Sequence, residues 1–129
     1  IKTIFEDKGE IYFRKIEHHY LKEILGNDTK IVLSLGGGAP CYSGNMEVIN
    51  SFSATSIYLK ASIHTLQERL IKEKSTRPLV ASLENHQIPE FIAKHLFERR
   101  FYYEKAIHKV SIDTKDILTI VNEIKTILL

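Results

Sequence analysis

Apolar positions recur along this chain in two rhythms, and their alternation predicts its elements. Ile1, Ile4 and Phe5 share one side of a short helical stretch over residues 1–8, which Gly9 ends. Phe13, Ile16, Tyr20, Leu21, Ile24 and Leu25 recur mostly at steps of three and four, so residues 10–25 are predicted as an amphipathic helix. Gly26-Asn27-Asp28 then has the chemistry of a turn. The rhythm changes at Ile31-Val32-Leu33-Ser34-Leu35, an apolar run that stops at three glycines, as a strand buried on both faces does.

A loop holding Pro40 and Gly44 leads into a predicted helix from Asn45 to about Phe52, and residues 56–59 form a second strand pattern. Ser62 is placed to cap a helix carrying Ile63, Leu66 and Leu70. Residues 72–84 are largely polar and charged and are expected as an exposed loop. Pro89 suits the first turn of a helix reaching about Lys105, with Ile92, Leu96 and Phe97 as its stripe. Val110 to Ile112 reads as a short strand. From about Thr114 the tail is helical, with Ile117, Val121, Ile124 and Leu128 on one face. Strands alternating with helices predict an α/β fold with a parallel sheet.

The chain has 129 residues, which fits one domain. Hydrophobic residues make up 43%, enough for a buried core. A net charge of +2 speaks against a nucleic-acid partner. Cys41 is the only cysteine, so no intrachain disulfide forms and no zinc site needing two thiolates is available; this suits a reducing, cytoplasmic setting. No apolar run has the length of a membrane span, and residues 1–10 lack the apolar region of a signal peptide. The chain begins at Ile1 and its sole methionine is Met46.

Several constellations carry candidate chemistry. Gly36-Gly37-Gly38 follows a predicted strand, where open α/β sheets bind ligands and where missing side chains let backbone N–H groups approach one. The alternative is a flexible strand-to-loop turn. Arg14 and Glu17 are three apart and share a helix face, either to grip a carboxylate or as a surface ion pair. Arg77-Pro78-Leu79 lies inside the charged stretch, as a lid arginine aimed at a phosphoryl group or as part of a solvated loop. Glu98-Arg99-Arg100 precedes Phe101, Tyr102 and Tyr103; stacking on nucleic acid competes there with a structural arginine among core aromatics. The histidines have no metal-ligand spacing, and Cys41 has no base near it in sequence.

Taken together these motifs resemble shikimate kinase. The matching stretches are Ile4-Phe5 with Gly9-Glu10, Phe13-Arg14 with Glu17, Leu33-Ser34-Leu35-Gly36-Gly37-Gly38, and Tyr58-Leu59. Arg77-Pro78-Leu79 follows, then Glu98-Arg99 with Tyr103 and Ala106. They run in the family's order over residues 1 to about 114. The resemblance implies a P-loop kinase fold, a parallel sheet with helices on both faces, over a single domain of residues 1–129 with a lid at about 72–84. It implies transfer of the ATP γ-phosphoryl to the 3-hydroxyl of shikimate with Mg2+. Arg14 and Arg99 would hold the shikimate carboxylate, Glu17 would orient Arg14 and reach a hydroxyl, and Gly37 and Gly38 would offer backbone contact. Ile1, Phe5, Phe13 and Pro78 would line an apolar wall. Arg77 would reach the ATP phosphates as the catalytic group, and Arg69 would stack on adenine.

The family's phosphate-binding GxxxxGK[ST] loop and its Asp-x-Asp segment have no counterpart here. Phe101 stands where the family usually has proline. The resemblance therefore implies a fold short of its first two strands, preceded in nature by a segment of a few dozen residues. The family's first strand lies between the Gly37 strand and the Tyr58 strand. Without it these two are expected to re-pair, directly or with another copy, because unpaired buried backbone is costly. The 129 residues alone are expected to be inactive, and the full enzyme a monomer. Two other functions stand beside this one: another small P-loop kinase of a carbohydrate acid, such as a gluconate-type kinase, and a kinase-derived module that binds shikimate or protein without catalysis.

Overall fold

Gly9 has φ 83° and joins two helices, α1 (Lys2–Lys8) and α2 (Glu10–Leu25). A side chain is strained at that angle, so glycine lets the first helix end and the second begin without a linker. The computed structural model describes residues 1–129 apart from Asp28 and Ser53, so the last residue of the predicted 26–28 turn lies outside the described residues. Helix α3 (Asn45–Ser51) follows a short 3-10 turn at Ala39–Cys41. Then come strand β1 (Ile57–Lys60), α4 (Ile63–Glu73), α5 (Pro78–Ala81), α6 (Ile88–Tyr103), strand β2 (His108–Ser111) and α7 (Ile117–Leu128).

Strands β1 and β2 pair in parallel, with Ile57 opposite His108 and Lys60 opposite Ser111. A parallel pair needs a long crossover, and α4 to α6 supply it. Ser62 caps α4 by accepting from the Thr65 amide at 3.2 Å, as its sequence position predicts. Asp116 caps α7 by accepting from the Thr119 amide at 2.8 Å. This helix begins at Ile117 rather than near Thr114, because Thr114 turns the chain at φ 59°. Leu21 of α2, Met46 and Ile49 of α3, and Ala106 form a buried cluster, with Leu25, Tyr58 and Tyr102 packed on it. Each large apolar side chain buried there contributes roughly 1.5–3 kcal/mol, which fixes α2 and α3 against the strand layer.

Three expectations need correction. Residues 31–35 form no strand among the described residues, and the only ladder is the one between β1 and β2. The run therefore does not re-pair directly with β1. Beyond its C-terminal end the chain is held elsewhere, the Gly37 carbonyl accepting from Tyr103 of α6 and the Ala39 carbonyl from Asn45 of α3. Its apolar side chains remain open: Val32 is fully exposed and Ile31 half exposed. The charged stretch 72–84 is not plain loop, since a 3-10 turn at Lys74–Thr76 and helix α5 lie within it. Pro78 starts α5 at a position that needs no amide donor, and Val80 buries itself almost completely.

Candidate functional site at the glycine turn

The glycines at the end of the apolar run receive arginines from two separate helices. Arg14 comes from α2, where Phe13 turns the same stretch of helix toward Phe5, with ring centroids 4.6 Å apart. Its Nη1 donates to Glu17 Oε1 at 2.8 Å, and the two side chains are 15% and 19% exposed. A pair this sheltered differs from a solvated surface bridge. The guanidinium lies over the Tyr42 ring, 4.2 Å from its centroid, and near the Phe13 ring at 5.2 Å. A Cβ at Gly38 would stand 2.6 Å from Arg14 Nη2, so only glycine admits the guanidinium at this distance. Arg14 Nε is buried without a hydrogen-bond acceptor; the Glu10 carboxylate is 3.6 Å away. A buried cationic donor without an acceptor favours an incoming anion.

Helix α6 supplies Arg99 and Tyr103, one turn apart. A Cβ at Gly37 would stand 3.1 Å from Arg99 Nη1 and 3.3 Å from Tyr103 Oη. The Tyr103 hydroxyl donates to the Gly37 carbonyl at 2.5 Å. Burial pushes the Tyr103 phenol above its ordinary value, with Arg99 opposing, so it stays protonated as a donor. Burial likewise pushes the Cys41 thiol up, and Arg99 and Arg14 both lie near enough to oppose that rise.

Asn45 also belongs to this site, although no motif in the sequence marks it. It is fully buried, its Nδ2 donates to the Ala39 carbonyl at 2.8 Å, and its Oδ1 accepts from His18 Nδ1 at 2.6 Å. Tyr42, under Arg14, gave no signal either. Beyond the turn, Glu17 also lines a shallow cleft of about 220 Å³ with Leu21, Leu35, Gly36 and Ala39.

The structure does not bring every candidate together. Arg77 donates through Nε and Nη2 to Glu73 Oε2, at 2.8 and 2.7 Å, on the exposed end of α4. Among the described residues no hydrogen bond or ion pair joins it to the glycine turn. Arg69 lies instead near Asp113, whose carboxyl is held below its usual range by the Thr65 hydroxyl and the Ser62 amide, with Arg69 adding less. Of the expected apolar wall, Phe5 and Phe13 meet Arg14, while Ile1 is 80% exposed. Phe101 is mostly exposed and carries the Lys105 ammonium 4.4 Å above its ring. Among the described residues no group of three His, Cys, Asp or Glu side chains is placed to hold a metal ion. None of their helices is long and apolar enough to cross a membrane.

A family model described as shikimate kinase matches residues 1–128. The chain is 49% identical to a shikimate kinase of Flavobacterium johnsoniae over 128 residues, which are 99% of this chain and 74% of that protein. It is 45% identical to the one from Flavobacterium psychrophilum, with the same coverage. The crystal structure of shikimate kinase from Bacteroides thetaiotaomicron superposes with a TM-score of 0.84 at 29% identity, over 98% of this chain and 71% of that one. The parallel strands and surrounding helices are thus those of a P-loop kinase fold. With arginines from two helices set against its glycine turn, the chain belongs to the shikimate kinase family.

Proposed function

We propose that these residues form the acid-binding half of an enzyme that transfers the γ-phosphoryl of ATP to the 3-hydroxyl of shikimate. The observation that carries this is the placement of Arg14 and Arg99 against adjacent glycines, Gly38 and Gly37. Two guanidiniums beside bare backbone suit a small carboxylate bound in fork geometry, with N–H and C=O groups left for hydroxyls. Glu17 fixes the Arg14 fork and has a second carboxylate oxygen for a substrate hydroxyl. Phe5, Phe13 and Tyr42 supply the flat apolar surroundings of a carbon ring.

Arg77 is assigned to the phosphates. It sits at the start of α5 in a charged segment and leaves Glu73 when a phosphoryl group offers stronger pairing. Arg69 is assigned to the adenine side. Mg2+ belongs to this reaction class as a partner of the ATP phosphates. The donor set among the described residues does not fit it. The sequence also holds no GxxxxGK[ST] motif. The enzyme's place is the cytoplasm, where ATP is supplied.

The test is ADP release by the full-length gene product with ATP and a panel of shikimate and gluconate. Shikimate-dependent release is expected. Release with gluconate instead would mark a different carbohydrate-acid kinase, and shikimate binding without release a module that has lost catalysis.

A further inference from the structure

We propose that Asn45 is a positioning residue for the acid-binding site, acting together with His18. This rests on the shikimate reading above and names residues that no motif in the sequence assigned. Asn45 opens α3 with none of its surface exposed. It is the only polar or charged residue among the described residues with essentially no exposed surface, so its two bonds to separate elements stand out. A carbonyl only accepts, so the amide nitrogen must face Ala39 and the amide oxygen must face His18. His18 then carries its proton on Nδ1.

The geometry links this pin to the arginine. Arg14 and His18 are four apart on α2 and share one face of it. Arg14 closes on Gly38 while His18 holds Asn45, and Asn45 holds the carbonyl of the very next residue, Ala39. One helix face thus grips the turn at two consecutive residues. The 3-10 turn reinforces it, with the Ala39 amide on the Gly36 carbonyl and the Cys41 amide on the Gly38 carbonyl, each at 3.0 Å. Losing the Asn45 link frees the turn to rotate, and the distance from Gly38 to Arg14 is then no longer set. Buried polar links of this kind hold one geometry among several that packing alone would allow.

The experiment compares steady-state constants of Asn45→Asp, His18→Leu and His18→Asn in the full-length gene product. Asn45→Asp can still accept from His18 but sets an oxygen against the Ala39 carbonyl. His18→Asn keeps a donor near the Nδ1 position, and His18→Leu removes it. The expected result is a shikimate KM raised at least about tenfold by Asn45→Asp, with the ATP KM within about twofold of the parent. His18→Leu should raise the shikimate KM several-fold and His18→Asn should restore most of it. If Asn45→Asp does not fold, the two His18 variants decide alone. Equal shikimate KM values for His18→Leu and His18→Asn, or shikimate and ATP KM rising together, would overturn the assignment. A parent protein that ignores shikimate would overturn the functional reading itself.

Discussion

Tyr103 and Gly37, 66 residues apart in sequence, are tied by a hydrogen bond from the phenol to the glycine carbonyl at 2.5 Å. The bond sets the end of α6 against the turn and so places Arg99, one helical turn earlier, beside the same glycine. Tyr103→Phe removes it while leaving the ring packed on Tyr58, 5.2 Å away between centroids. Gly37 is exposed and water can replace the donor, so stability should fall by only about 0.5–1.5 kcal/mol. Thermal unfolding checks the size of that loss, and shikimate affinity should fall with it.

Gly38→Ala should damage binding more than folding. The new methyl group would meet the end of the Arg14 side chain at 2.6 Å, and that end can move aside without opening the core. Moving it breaks the Glu17 pairing and the stacking on Tyr42. Expected outcomes are a nearly unchanged Tm and a shikimate Kd at least about tenfold weaker. An unchanged Kd would show that the fork need not sit where it does.

Arg77→Ala should lower kcat far more than it changes the shikimate KM, because a charge aimed at the phosphates acts in the transition state. Steady-state kinetics at saturating ATP check this. A variant altered only in shikimate KM would move Arg77 into the acid site instead.

Cys41 should react slowly. Burial raises its thiol pKa against the pull of Arg99 and Arg14, so the thiolate is scarcer than in a free cysteine at about pH 8. Alkylation by iodoacetamide should therefore lag behind a free thiol and speed up as pH rises through the raised value. Bound shikimate should slow it further, since Cys41 lies within the same turn as Gly37 and Gly38. A rate equal to that of free cysteine at about pH 8 would contradict this.

Much of this was legible from spacing. The three- and four-residue steps from Phe13 to Leu25 mark α2, and Ser62 and Pro89 mark helix starts, because capping and proline chemistry act locally. Arg14 and Arg99 stand out as candidates, Arg14 directly after Phe13 and Arg99 two residues before the aromatic run Phe101-Tyr102-Tyr103. Asn45 does not, since an asparagine after Gly44 at a helix start reads as a surface residue; only its partners His18 and Ala39, brought in by folding, show it buried. Residues 31–35 have the composition of a strand, but a ladder requires a neighbour, and composition does not say whether one lies alongside. The helical turns within residues 72–84 were hidden by charge, since Val80 alone supplies the buried anchor of α5.

The most direct test is a calorimetric titration of shikimate and its uncharged methyl ester into the full-length gene product and its Arg14→Ala and Arg99→Ala variants. If the two guanidiniums clamp the carboxylate, each variant should lose on the order of 2–5 kcal/mol for shikimate. For the ester, which offers no charge to either arginine, the same variants should lose little. Equal losses for acid and ester, or unchanged shikimate affinity in both variants, would contradict the clamp.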